Sequence, residues 1–256
     1  MNIKATTLST RKIHRGFSPI CAITAYDYPT AKLVDEAEVD MILVGDSLGM
    51  VALGFPDTTH VTLAHMKHHT EAVARGATRS FIVSDLPYNT YTTPKAALTN
   101  AKALLNAGAH AIKLEGGEEQ LPQILSLIKA GIPVIGHLGM LPQSIKKEGG
   151  YKKKGRSDRQ AEELISDATL LSEAGVTAIV LESVTSTVAK QITNTVDTPI
   201  IGIGCGKYPC DGEIAVLSDV VGSYPWFVPP FSTQHADVAG SIRSAVREYK
   251  RSVCDA

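Results

Sequence analysis

The chain has 256 residues, 44% of them hydrophobic and 20% charged, with a formal net charge of −1. That apolar content suits one large domain with an ample core, and the lack of a long basic run speaks against a nucleic-acid partner. Cys21, Cys205, Cys210 and Cys254 follow neither metal-ligand spacing nor a secreted disulfide framework, and no stretch approaches the roughly 20 apolar residues of a membrane span. A reduced, cytoplasmic chain without a membrane partner is expected.

Residues 1–18 are polar and punctuated, and read as a short helix or arm. The first strand is 19–25, running into Tyr26-Asp27-Tyr28 and a helix opened by Pro29-Thr30. Asp27 reads as that helix's N-cap before it reads as a site residue. The second strand, 41–44, leads into Gly45-Asp46-Ser47-Leu48-Gly49, where flanking glycines let the backbone bend sharply and approach a small ligand. A helix follows with Leu63, Met66 and Val73 on one face. His65 and His69 stand four apart on it, but Met66 holds the position where a zinc-protease pair requires glutamate, so solvated or interfacial histidines are the default.

The third strand, 81–83, is followed by Asp85, and Thr93-Pro94 caps the next helix. The fourth, 111–114, is followed by Glu115 and Gly116-Gly117; the fifth, 133–136, by His137. From Met140 to Ser157 the pattern breaks into a basic, glycine-interrupted segment, long enough for a lid over an anionic ligand and equally readable as a solvated hairpin. Ser157 and Gln160 form a capping-box pattern, and the sixth strand, 178–181, ends in Glu182. The seventh is 199–203, followed by GIGCGK, whose glycines match neither a P-loop nor a dinucleotide fingerprint. The eighth is expected near 216–221, and a C-terminal helix over 236–249. Eight strands alternating with helices favour a single-domain α/β fold spanning 1–256, a (β/α)8 TIM barrel with an N-terminal arm and a C-terminal helix, over an open doubly wound sheet.

Five strands close with a group able to bind metal or carry protons: Asp46, Asp85, Glu115, His137 and Glu182. In a barrel such ends converge on one mouth. On the fourth strand Lys113 and Glu115 project to one side while Ile112 and Leu114 face helices. For that strand taken alone, a structural ion pair is as good a reading as a functional one. Asp46, Asp85 and Glu115 are hard oxygen donors that suit Mg²⁺, which shares its shell with water and substrate oxygens. Lys113 could pair with a substrate carboxylate or, with a depressed pKa, form a Schiff base. A 2-oxo acid satisfies both features, with Glu182 as base and His137 orienting the substrate.

The segments TAYDY (24–28), VGDSLGM (44–50), SDLP (84–87), KLEGG (113–117), GHLG (136–139), GGYKKKGR (149–156), LE (181–182) and GIGCG (202–206) together resemble the ketopantoate hydroxymethyltransferase family, of the phosphoenolpyruvate mutase and isocitrate lyase type of barrel. The resemblance runs in order over nearly the whole chain. It implies transfer of a hydroxymethyl group from 5,10-methylenetetrahydrofolate, as co-substrate, to 3-methyl-2-oxobutanoate, giving 2-dehydropantoate. It also implies Mg²⁺ on Asp46, Asp85 and Glu115, substrate contacts from Asp46, Ser47, Asp85 and Lys113, Glu182 as proton acceptor, and a homodecamer. The chain departs from the family pattern at Cys205, Glu213 and Ser218, all beyond the metal set. Two other readings stay open: a carbon–carbon or carbon–phosphorus bond enzyme on the same barrel, and an idle barrel that only binds a metabolite.

Overall fold

The computed structural model describes residues 5–145, 149–150 and 152–255. They fall into two compact units, one ending at Ile214 and one beginning at Ala215. The first carries the barrel. Its strands are β1 (Ile20–Thr24), β2 (Met41–Val44), β3 (Phe81–Asp85), β4 (Ala111–Glu115), β5 (Val134–Gly139), β6 (Ala178–Glu182), β7 (Ile200–Ile203) and β8 (Gly212–Ala215), closed in chain order. Every pairing from β1 through β8 is parallel, and helices cover the outside, so the expected (β/α)8 TIM barrel is the fold.

The strands stop where local chemistry changes. Asp27 caps the helix Tyr28–Glu36, its carboxylate accepting from Thr30 N. Thr93 does the same for Pro94–Asn106, and Ser157 for Asp158–Ala174. Of the capping box expected at Ser157, only the serine half forms: Gln160 turns its side chain to Arg156 N instead.

Side chains alternate across each strand, which sorts every strand into an outward row and an inward row. The inward rows begin apolar. Leu8 of the N-terminal arm joins Ile20, Met41, Phe81, Val83, Ala111, Ile135, Ala178, Val180, Ile201 and Ile214 in one buried cluster. Burying each large member contributes roughly 1.5–3 kcal/mol. The same rows end in ionisable groups: Phe81-Val83-Asp85, Ala111-Lys113-Glu115, Ile135-His137 and Ala178-Val180-Glu182. Parallel register brings those ends level, since Asp85 pairs with Lys113, Glu115 with His137 and Gly139 with Glu182.

The last strand lies earlier than expected. β8 is Gly212–Ala215, and Leu217–Val221 is a short helix. The stretch 214–221, apolar but for Ser218 and Asp219, is compatible with either state, and Gly212 decides it by close approach: a Cβ there would lie 2.4 Å from the Ile20 carbonyl of β1. In the second unit the helix Val238–Cys254 begins at Asp237, whose side chain accepts from Gly240 N, and it exposes Ile242, Val246, Tyr249 and Val253 along one stripe. Among the described residues no helix is long and apolar enough to cross a membrane.

Candidate active site

The carboxyl ends of β2 to β6 bring Asp46, Asp85, Lys113, Glu115, His137 and Glu182 to one mouth. All but Glu182 are buried. Lys113 Nζ lies 2.9 Å from Asp85 Oδ1 and 3.4 Å from His137 Nδ1. His137 Nδ1 is 3.5 Å from Glu115 Oε1, and its Nε2 is 3.3 Å from Glu182 Oε2. Glu182 is thus tied to the buried group through the imidazole, with its own side chain 16% exposed. Ser183 after it holds φ 52, a left-handed conformation that a residue with a side chain adopts only where its surroundings enforce it. Ser47 sits just outside, its Oγ 2.9 Å from the Tyr26 hydroxyl.

The electrostatics follow from burial and proximity. Burial, then the nearby Asp85 and Glu115, push the Asp46 carboxyl well above the usual range, against Lys113 and a hydrogen bond from Gln143. For Lys113 burial works downward, but Asp85, Glu115 and Asp46 outweigh it and hold the ammonium charged. That favours an ion-pairing lysine over a Schiff base, which would need the opposite shift. Burial and Lys113 also oppose charge on His137, yet Glu115 and Glu182 raise it to about 9.

Each of the three carboxylates from β2, β3 and β4 is held by a nitrogen on one oxygen. Asp46 N donates to Asp85 Oδ2 at 3.1 Å, Gln143 Nε2 to Asp46 Oδ2 at 2.8 Å, and Gln143 N to Glu115 Oε2 at 3.0 Å. Asp85 Oδ1 and Glu115 Oε1 are both buried, and beyond Lys113 on the first and His137 on the second no further donor meets them among the described residues. Among the described residues no group of three His, Cys, Asp or Glu side chains stands as a ready-made metal cage. Mg²⁺ does not require one, because it keeps waters and shares its octahedral shell with substrate oxygens, so a carboxylate can also act on it through a water. All-oxygen donors with lone pairs left over beyond these contacts fit that ion.

Sequence reasoning found the acids and missed Gln143 and Tyr91, which lie in the loops after β5 and β3. The spacing of an amide or a phenol along a loop carries no periodic signal. Two histidines of the helix Leu63–Gly76 have structural contacts, His65 completing the capping box with Thr62 and His69 Nδ1 lying 2.6 Å from the Tyr26 carbonyl oxygen, while His68 is exposed. Of the candidate lid, Lys146–Glu148 and Tyr151 lie outside the described residues. Its far end is attached beside Glu182, where Lys154 N donates to the Ser183 carbonyl and bridges Val184.

Comparison with known proteins agrees with this arrangement. The family model described as ketopantoate hydroxymethyltransferase matches residues 3–256. The chain belongs to that family. The 3-methyl-2-oxobutanoate hydroxymethyltransferase of Pyrobaculum arsenaticum is 53% identical over 240 residues, 93% of this chain and 90% of the relative. The one from a Thermoanaerobacter species is 47% identical over 255 residues, 99% and 93% of the two chains. The chain is accordingly an enzyme of the hydroxymethyltransferase class. Among solved structures it resembles 2,3-dimethylmalate lyase, a phosphoenolpyruvate mutase/isocitrate lyase superfamily member, with TM-score 0.65 at 18% identity over 100% of this chain and 89% of that one. Phosphonopyruvate hydrolase in complex with oxalate and Mg²⁺ gives TM-score 0.67 at 15% identity, covering 97% and 88%. At such identities these two share the fold.

Proposed function

We propose that this enzyme transfers a hydroxymethyl group from 5,10-methylenetetrahydrofolate to 3-methyl-2-oxobutanoate, forming 2-dehydropantoate for pantothenate synthesis, with Asp46, Asp85 and Glu115 as its Mg²⁺ ligands. The observation that carries the proposal is the convergence of those acids at one mouth: one oxygen of each fixed by an N–H, and the second oxygens of Asp85 and Glu115 buried beside only Lys113 and His137, with lone pairs left over. When bound, Mg²⁺ supplies Lewis-acid polarisation of the 2-oxo group and stabilises the enolate's charge.

The chain's own groups do the rest. Lys113 and Ser47 bind and orient the substrate, the ammonium meeting its carboxylate. Glu182, the most exposed acid of the set, removes the C3 proton, and His137, 3.3 Å from it, fixes the carboxylate's orientation and with it that of the substrate. The relatives' names support the acceptor, and the oxalate and Mg²⁺ named with phosphonopyruvate hydrolase show an ion and a small dicarboxylate in a barrel of this fold. A cytoplasmic location suits a biosynthetic enzyme with free cysteines. The exposed stripe Ile242, Val246, Tyr249 and Val253 supports assembly with further copies, a homodecamer by family resemblance.

The test is deuterium exchange at C3. In D₂O with Mg²⁺, 3-methyl-2-oxobutanoate should lose its C3 proton without any folate, and product should form only when 5,10-methylenetetrahydrofolate is added. Glu182→Gln should slow exchange at least about 100-fold, in the range of a lost general base. Exchange surviving in that variant would take the base away from Glu182. Product formed without the folate would take away the donor.

A further inference from the structure

Gln143 lies in the short turn Pro142–Ser144 after β5, 5% exposed, and belongs to none of the groups assigned above. Every polar atom of its side chain is used. Nε2 donates to Asp46 Oδ2 at 2.8 Å and to the Leu86 carbonyl at 3.0 Å, while Oε1 accepts from the Tyr91 hydroxyl at 2.6 Å. The direction of the amide is dictated by its neighbours: the Leu86 carbonyl can only accept, so nitrogen must face it, and oxygen then faces Tyr91. The Tyr91 loop is itself held, its carbonyl accepting from Gln123 Nε2 at 3.2 Å. The main chain adds a fourth contact, Gln143 N to Glu115 Oε2 at 3.0 Å.

One residue therefore holds two acids that come from different strands, each by a single oxygen. We infer that Gln143 is the positioning residue of the metal site, orienting Asp46 through its amide and Glu115 through its backbone, with Tyr91 fixing the amide's direction. The inference rests on the Mg²⁺ reading proposed above. Hydrogen bonds of this kind set the direction of the remaining lone pairs, and a free amide or an apolar side chain in that place would leave the Asp46 carboxylate able to rotate. Loss of such an outer partner typically weakens metal binding about 10–100-fold.

Mg²⁺ titration by calorimetry, with and without 3-methyl-2-oxobutanoate, tests the inference alongside the C3 exchange rate measured across a range of Mg²⁺. Gln143→Leu, close in volume, should bind Mg²⁺ about 10–100-fold more weakly, and its exchange rate should recover towards wild type as Mg²⁺ is raised, which a general loss of structure would not do. Tyr91→Phe removes one oxygen and keeps both amide donors, so it should weaken Mg²⁺ by a smaller factor, about 3–10-fold. The double variant should be no worse than Gln143→Leu, since Tyr91 acts through the amide. Should Gln143→Leu not fold, Tyr91→Phe with wild-type affinity overturns the inference. So does a folded Gln143→Leu that binds Mg²⁺ within about threefold of wild type. Wild-type protein that neither binds Mg²⁺ nor needs it for exchange overturns the metal reading and the inference with it, an outcome distinct from a Mg²⁺-dependent wild type with an indifferent variant.

Discussion

At the opposite end of the barrel a lysine closes the seam between the first and last strands. Lys12 is 0% exposed; its Nζ lies 2.7 Å from Asp211 Oδ2, 2.7 Å from the Thr193 carbonyl oxygen and 3.3 Å from that of Thr198. Asp211 Oδ2 also accepts from Ile200 N at 2.9 Å, and its carbonyl accepts from Ile20 N at 2.9 Å. One ammonium thereby joins the arm to β7 and to the β8–β1 closure. Lys12→Met keeps most of the stem's packing, but Asp211 loses its cation and two carbonyls lose a donor. Removing one partner of a buried pair costs about 3–5 kcal/mol. At roughly 2–4 °C per kcal/mol for a domain of this size, the melting temperature should fall by roughly 6–20 °C. Adding Asp211→Asn removes the stranded charge and should restore about half of the loss. Urea and thermal unfolding of the three proteins measure both steps. Substrate exchange at 25 °C should stay within about twofold of wild type, because Lys12 and Glu182 sit at opposite ends of the strands. A melting temperature within about 2 °C of wild type for Lys12→Met would refute the idea that this ammonium holds the seam.

Two further outcomes follow from single positions. The Asp35 carboxylate accepts from the backbone nitrogens of Thr78, Arg79 and Ser80 at 2.9, 3.1 and 2.8 Å and from Ser80 Oγ at 2.7 Å. Burial works against it, but these donors depress its pKa to about 2. A depressed carboxylate contributes stability above its unfolded pKa of about 3.9 and loses it as pH falls through 2, so about 1–2 kcal/mol should disappear between those values. Asp35→Asn should remove this component from urea unfolding measured at pH 2–6, and an unchanged pH slope would count against it. Gly139 holds φ 96, and a Cβ there would lie 2.3 Å from the Glu182 carbonyl oxygen. Gly139→Ala should cost about 2 kcal/mol or more through strain and displaced backbone, and should lower C3 exchange by moving the end of β6; a fully active variant would show that the Glu182 position tolerates that shift.

The barrel was legible because it is written in repeated local signals. Short apolar runs, the caps Asp27, Thr93 and Ser157, and glycines at helix ends recur in order, and Met41–Val44 falls where the pattern puts it. The acids were legible for the same reason: each stands at a strand end, and strand ends of a barrel have one destination. β8 was not, because the mostly apolar stretch 214–221 fits a strand or a helix, and the deciding contact is between Gly212 and Ile20, distant in sequence. Gln143, Tyr91 and Lys12 escaped for a related reason. Their roles come from partners 52, 97 and 181 residues away, and no local pattern announces such pairs.

The two ends of the barrel carry the same chemistry under opposite rules, and the difference separates structure from function. Lys12–Asp211 and Lys113–Asp85 are both buried lysine–aspartate pairs. At the closed end the ammonium meets a carboxylate and two carbonyls, and the carboxylate also meets a backbone donor, so charge and hydrogen-bonding capacity are both used. At the mouth the Lys113 pair is surrounded by surplus acid: four carboxylates face one lysine and one histidine, an excess of two negative charges if all are ionised. Asp85 Oδ1 and Glu115 Oε1, each already beside a cationic group, Lys113 and His137, meet no other donor among the described residues. Gathering like charges out of water is costly, and folding alone would favour replacing them. A divalent cation with an oxygen-rich substrate, as proposed above, would offset that surplus at the one place where the strands' inward rows turn from apolar to ionisable. Filling the mouth with apolar residues of similar volume should therefore raise stability while abolishing exchange, the reverse of the outcome expected at Lys12.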